Sequence, residues 1–535
     1  MPTKEELQRP YFYPIPMDRG GFSYNPNIDT IPIWAMVDNT KNLMLDKGGR
    51  RPRGGTTHVT GVSMASRVMG IKQYKASGTN FILRATADGK IYKNDTDTIN
   101  TGWATSKKVR FEIMNKLIFA ANGYDRPKYW DGSAGSMTNL TTLHADWTGT
   151  NFPSKFIIHG RGVSRRMWAI GCPSTPYSVY FSKNDDPNDF SVGGGGGVID
   201  VDTGDDVGVL DFIVYGDRLF VGGKNKFYLI DDDDASIANW GYQEAQWDGG
   251  TYTDLLIRIP SDTITMDDKG NIYSVIAAQE YGDYSYASLS NPDPHGPFKV
   301  PLNENPHITQ WIQEFIDLSK IDNFHAVCDK TYECVYFFMT PNGYTTNKLA
   351  LVYFYNRPPQ EAWMIHNNYS YSSGYDASSS VVIEVGIGNY RVYTGDYSGI
   401  LWKLQTANNN DNGSSYYKGY TTPYISIDNP VLLKKFIDGT VITEPEGDYY
   451  ISTNTFVDNV MLSSGQVSLS GSGSALGSFV LGESRLAGNR LISDRWKMGS
   501  IGKRAKIELY NNSVNEDFFI SQILLQIKLL GVKPE

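Results

Sequence analysis

The stretch that decides the fold is Asn80 to Asp95, NFILRATADGKIYKND. Phe81 to Ala85 forms an alternating run, Asp88-Gly89 is a tight-turn pair, and Ile91-Tyr92 opens a returning run. Asp-Gly between two such runs predicts a β-hairpin, because glycine accepts the positive φ that the turn requires. The unit then recurs. It returns as NKLIFAANGYDRPKYWDG around Tyr129-Trp130, RRMWAIGCPSTPYSVYFS around Val179-Tyr180, DRLFVGGKNKFYLID around Phe227-Tyr228 and MDDKGNIYSVIAA around Ile272-Tyr273. A longer version, ECVYFFMTPNGYTTNKLALVYFYN, turns at Asn342-Gly343, and YRVYTGDYSGILWKL ends the series at Leu401-Trp402.

The first five aromatic ends, Tyr92, Trp130, Tyr180, Tyr228 and Tyr273, are separated by 38, 50, 48 and 45 residues. Hairpin-like units at intervals of roughly 40–50 residues are what four-stranded propeller blades require. Each blade is a small sheet that cannot bury both faces alone, so stacking around an axis supplies the core. The expected fold is all-β: a β-propeller of six or seven blades over residues 60–405. It is preceded by an extended leader, 1–59, and followed by a polar linker, 406–419, and a C-terminal β-sandwich-like module, 420–535. A β-helix fits less well because its coils are shorter, and a string of two or three immunoglobulin-like sandwiches remains the alternative.

Composition agrees with the strands. Of 535 residues, 13% are aromatic, with 35 Tyr and 11 Trp, and 53 are Gly, a balance of β-formers and turn residues. The net charge of -9 argues against an overall attraction to nucleic-acid phosphate. Cys172, Cys328 and Cys334 make an odd set with no CxxC, which reads as buried small apolar residues in a reducing compartment. The N-terminal residues lack the apolar core of a signal peptide, and no run approaches the ~20 apolar residues of a membrane span. Assembly in the cytoplasm is the expectation. Few segments read as helix; Ile308 to Leu318, ITQWIQEFIDL, is the best, with Trp311, Phe315 and Leu318 on one face. SSGQVSLSGSGSALG, residues 463–477, reads as a flexible loop or strand tip.

Catalytic and metal-binding patterns are sparse. The five glycines from Gly193 to Gly197 lack the Lys-Ser/Thr of a phosphate loop and read as a tight turn. Asp200, Asp202, Asp205 and Asp206, and the run Asp231 to Asp234, are hard-ion ligands for which calcium is conceivable. Neither matches EF-hand spacing, so acidic loop tips are the preferred reading. The seven histidines show no HxH or HExxH pairing, and there is no GxSxG elbow. No catalytic, cofactor-binding or metal residues are assigned, and the chain is expected to be neither an enzyme nor cofactor-dependent.

One segment stands apart. Asp18 to Val59 carries Arg50, Arg51 and Arg53 among Gly48, Gly49, Gly54, Gly55 and Pro52. Glycine loosens this backbone and Pro52 fixes one φ, giving an irregular strap that precedes the first blade and is not itself one. Its arginines read either as a protein interface or as a solvated surface.

The leader DRGG…NP…IPIWAMVDNTKNLMLDKGGRRPRGGTTHV resembles the start of tail proteins of bacterial viruses that build a propeller into the tail. YSVYFSKNDDPNDF, with Ser182 and Asp186-Pro187-Asn188-Asp189-Phe190, resembles a corner that recurs in them, and NGYDRPKYWDG one of their hairpins. TTPYISIDNPVLLKKF and the final strands resemble the strands that come after their propeller. The family is the tail nozzle, or tail hub, of short-tailed bacteriophages. The resemblance implies a homohexameric ring below portal and adaptor in the virion tail, touching tail fibres or other tail proteins. Double-stranded DNA would pass transiently through its channel during ejection. It also makes Arg50, Arg51 and Arg53 an assembly element. The alternative reading is a carbohydrate-binding or carbohydrate-degrading propeller, a receptor binder or depolymerase; a secreted adhesin is a third, weaker reading.

Overall fold

Each of the seven hairpins read from the sequence forms the two middle strands of a four-stranded antiparallel sheet. The computed structural model describes residues 9–25, 31–45, 48–59, 64, 66–94, 97–133, 135–160, 164–245, 249–277, 284–427, 430–470 and 491–531. The seven sheets span residues 68–100, 110–139, 155–200, 209–244, 257–288, 325–367 and 377–406. The first strand of each lies against the first strand of the next, and Ala377–Gly386 of the last lies against Val68–Ala76 of the first. The circle is closed, so this is a seven-bladed propeller.

The turns are held by local chemistry. In blade one, Thr86 N–H bonds Lys90 O at 2.9 Å and Gly89 has φ +79°. In blades five and seven an aspartate opens the equivalent turn. Asp267 Oδ1 accepts from the N–H groups of Lys269 (2.9 Å) and Asn271 (2.8 Å), and Asp396 Oδ1 from those of Ser398 and Ile400 (both 2.8 Å). The carboxylates mimic a backbone turn and satisfy donors that the hairpin would orphan. Between blades, apolar faces meet: Trp168, Val179 and Phe181 of blade three pack with Phe212, Leu219 and Tyr228 of blade four.

Six sheets are continuous meanders, whereas the seventh takes its outer strand from the leader. Gly55–His58 pairs with Leu401–Thr406, His58 opposite Trp402 and Thr57 opposite Lys403. The expectation that the strap belongs to no blade is therefore corrected. Locally GTTH has no apolar alternation to mark it as a strand, and its pairing is nonlocal. Joining the last blade to a strand that precedes the first locks the ring against opening.

The C-terminal module is two four-stranded sheets. One orders Tyr11–Pro16, Ile520–Gly531, Leu433–Thr443 and Ile492–Gly502; the other orders Lys418–Thr421, Ala505–Asn511, Tyr450–Val457 and Val460–Ser468. Its first strand also comes from the leader, pairing Tyr11 with Ile527 and Ile15 with Ile523. Pro14 and Pro16 are tolerated because that strand is an edge. Phe436, Ile451, Trp496, Leu509 and Leu525 fill the sandwich, and the same apolar cluster runs on into Tyr336, Phe338 and Val352 of blade six. The two units thus share one core.

The helix expected at 308–318 occupies Ile308–Phe315, with Trp311 buried and Phe315 exposed. All three cysteines are free and buried. Within the expected loop 463–477, Ser463 to Ser468 belongs to the strand Val460–Ser468, and residues 471–477 lie outside the described residues.

Candidate functional site: the arginine strap and the propeller axis

The strap crosses the joint between propeller and sandwich. Leu43–Met44 pairs with Arg51–Pro52, and Arg50 exchanges two 2.9 Å backbone hydrogen bonds with Ile520 of the sandwich. Five residues later the chain enters blade seven. Glycine is required there by space, since a Cβ on Gly55 would lie 1.8 Å from Asn410 O.

Arg53 is the centre of the joint. Its Nη1 and Nη2 donate to Asp411 Oδ1 and Oδ2 at 3.0 and 2.7 Å, its Nε to Asn42 Oδ1 at 2.9 Å, and both side chains of the ion pair are 0% exposed. The guanidinium carbon lies 3.9 Å from the ring centroid of Tyr416 and 4.3 Å from that of Tyr375. Burial by itself would lower the basicity of Arg53, but the Asp411 charge and its hydrogen bonds raise it on balance. Asp411 also accepts from Thr56 N–H and Oγ1 at 3.1 Å and from Asn368 Nδ2 at 2.8 Å. Every lobe of the carboxylate is used, which is what makes a buried pair tolerable. Asp411 lies in the stretch read as a polar linker, and there it is fully buried.

Arg50 is also fully buried. It donates to Gly49 O (2.9 Å), Gly20 O (2.7 Å) and Arg19 O, and burial pushes it down to about 10. Arg51 is half-buried, its guanidinium 5.4 Å from the Phe519 ring centroid. Arg50 and Arg53 therefore do not form the outward-facing cluster that the sequence suggested. Glycine and proline shape the strap so that these two side chains turn inward onto carbonyls and a carboxylate of the same chain.

A second cluster, unread in the sequence, lies on the propeller axis. Arg110 of blade two grips Asp254 with Nε at 2.6 Å and Nη2 at 2.7 Å, and Lys108 Nζ reaches the same carboxylate at 3.1 Å. Asp254 N–H donates to Asp211 Oδ2 at 2.9 Å, and Asp211 pairs with Lys155 of blade three. Burial works against the Asp254 charge, but Arg110 and Lys108 hold its carboxyl well below the usual range. Burial pushes Lys108 down and Asp211 up. His325, 2.8 Å from Ser380 Oγ, is lowered to about 3 by burial and then by Lys108, so it is neutral at pH 7. The cavity among these strands measures about 330 Å³. Only Lys108 and Arg110 are near in sequence; Lys155, Asp211, Asp254 and His325 come from other blades and loops, so no sequence signal joins the cluster.

The acidic runs act mainly as turn locks. Asp205 Oδ1 accepts from Thr203 Oγ1, Val207 N–H and Gly208 N–H at 2.9–3.1 Å, and Asp234 Oδ1 accepts from Ser236 N–H at 2.7 Å. Among the described residues no three His, Cys, Asp or Glu side chains are arranged to hold a metal ion. Gly193 to Gly197 forms a short turn capped by Ser191 and leads into the strand Gly197–Asp200.

A cleft of about 680 Å³ separates the helix and blade six from the leader and sandwich. Trp311, Phe315, Tyr344, Tyr369 and Tyr424 line it, with the Tyr344 and Tyr369 rings stacked at 5.5 Å.

No protein-family model matches this sequence, and no curated protein matches it. Among solved structures, BBS1N in complex with ARL6DN is similar over 69% of this chain and 98% of its own, at 10% identity and TM-score 0.39. The computationally designed Ika8 protein is similar over 64% of this chain and 98% of its own, at 8% identity and TM-score 0.35. The propeller assignment rests on the strand pairing itself.

Proposed function

We propose that this chain is a structural protein of a bacteriophage tail, assembled as a ring of six below portal and adaptor and forming part of the wall of the channel for DNA. The observation that carries the reading is the weave of the leader. One leader strand completes the sandwich, another completes the propeller; between them Arg50 pairs with Ile520 of the sandwich and Arg53 with Asp411 pins the strap to the segment that links the two units. Such a body is a building block that resists being pulled apart, as the wall of a pressurised conduit must.

Two further features support it. The motifs that resemble tail hubs fall at positions that shape the fold: Phe190, which ends the Asp-Pro-Asn-Asp-Phe corner, is buried against Trp147. The propeller axis is crossed by the Asp254 ion cluster, leaving a cavity far too small for a duplex. DNA passes between copies around a shared axis, not through a propeller. The net charge of -9 suits a wall along which phosphate slides without sticking. Light scattering on the purified chain with its portal and adaptor tests this: a complex of several hundred kilodaltons supports it, and no association with either sinks it.

The aromatic cleft favours a second reading, a carbohydrate-binding propeller. Tyr344 and Tyr369 are each 41% exposed and offer ring surface on which a sugar would stack. Binding of host polysaccharide that is abolished in Tyr369→Ala supports this reading; unchanged binding removes it.

A further inference from the structure

The axial pocket carries more positive charge than the chain itself neutralises. Lys72, Lys108 and Arg110 line it together with Lys155, and only Asp254 and Asp211 oppose them. Asp254 is already divided between Lys108 and Arg110, and Asp211 is taken by Lys155 and by two backbone N–H groups, those of Phe212 and Asp254. The side chain of Lys72, on the innermost strand of blade one, has no hydrogen-bond or ion-pair partner among the described residues. His325 adds no negative charge and is occupied by Ser380.

A recessed pocket with an excess of positive charge concentrates anions, and an anion entering it offsets that excess. Lys108, Arg110 and Asp254 are each 16–20% exposed, so solvent and small solutes reach the cluster. The cavity of about 330 Å³ holds a tetrahedral anion with several of its waters. Ser379 of blade seven, the neighbour of blade one in the ring, also lines the pocket and offers a hydroxyl donor. Ammonium groups and a hydroxyl converging from different blades suit a ligand with acceptor oxygens on several faces.

We propose that the axial pocket is a binding site for a small free oxyanion, with Lys72 as its principal direct ligand and Lys108 and Lys155 supplying the surrounding field. The site stands independently of the tail reading. An anion bound there would tie blades one, two, three and seven together at the axis.

The test uses the whole chain and inorganic phosphate. Calorimetric titration and thermal melting are followed at constant ionic strength, with chloride as the replaced anion. Saturable phosphate binding that raises the melting midpoint is expected. Lys72→Met should weaken that binding at least tenfold while folding normally, because the side chain has no partner to lose. Lys497→Met, on an exposed strand of the sandwich, should bind as the wild type does. A short DNA duplex separates free phosphate from polymer phosphate, and it should not displace the anion. The proposal is overturned if phosphate acts no differently from chloride, if Lys72→Met binds as tightly as wild type, or if the duplex competes.

Discussion

The guanidinium of Arg53 and the carboxylate of Asp411 meet at 2.7 Å with neither side chain exposed, although 358 residues separate them in the chain. The pair joins the strap, the outer strand of blade seven and the linker toward the sandwich at one point. Removing either partner leaves the other charged and buried, which costs about 3–5 kcal/mol. Arg53→Met and Asp411→Leu are each expected to lower stability by that amount in urea denaturation, and the double variant by clearly less than their sum. Strict additivity would mean that the pair does not act as a unit.

Arg51 is the contrasting case. It is half-buried against Phe519, so Arg51→Ala should change stability by less than about 1 kcal/mol, measured in the same titration. It is therefore the member of the trio with which to probe assembly. Replacing all three arginines together would confuse assembly with folding.

Gly55 tests how the propeller closes. Gly55→Val places a branched side chain against Asn410 O, and the strand Gly55–His58 should no longer seat on Leu401–Thr406. Hydrogen exchange should then rise in residues 401–406 while the sandwich strands Leu433–Thr443 and Tyr450–Val457 stay protected. Unchanged protection in 401–406 would show that the leader does not complete blade seven.

His366 makes the joint sensitive to acid. Its Nε2 donates to Leu43 O at 2.9 Å, and burial, then the Arg53 charge, lowers it to about 3. Below about pH 6.5 the unfolded chain takes up a proton that the native site refuses, so stability is lost as pH falls from there toward 3. Between pH 7 and 5 this one group removes about 2 kcal/mol. His366→Gln keeps an amide donor for Leu43 and does not titrate. Stability curves of the two proteins should therefore diverge by about that amount on acidification, and parallel curves would contradict the assignment.

What the sequence made legible was local. All seven hairpins could be read, because strand alternation, aromatic strand ends and turn residues (Asp-Gly, Asn-Gly or Ser-Gly in four of the seven) are set by neighbours in the chain. Outer strands were harder to see: Thr138–Asn139 is two exposed polar residues, and Gly55–His58 is recognisable only by its partner strand, hundreds of residues later. The strap arginines were read as outward because charge ordinarily seeks water. Asp411 reversed that for Arg53, and backbone carbonyls for Arg50, and neither arrangement leaves a trace at neighbouring positions. The axial cluster was invisible for the same reason, since Lys108, Lys155, Asp211 and Asp254 become neighbours only when the ring closes.

The most direct measurement of the proposed role is electron cryo-microscopy of a tailed particle containing this chain. The account predicts six copies in a ring beneath the portal and adaptor, with an axial channel between copies and each propeller's own axis closed by the Asp254 cluster. A particle in which the chain forms no ring, or in which the DNA path runs through the propeller axes, would contradict it.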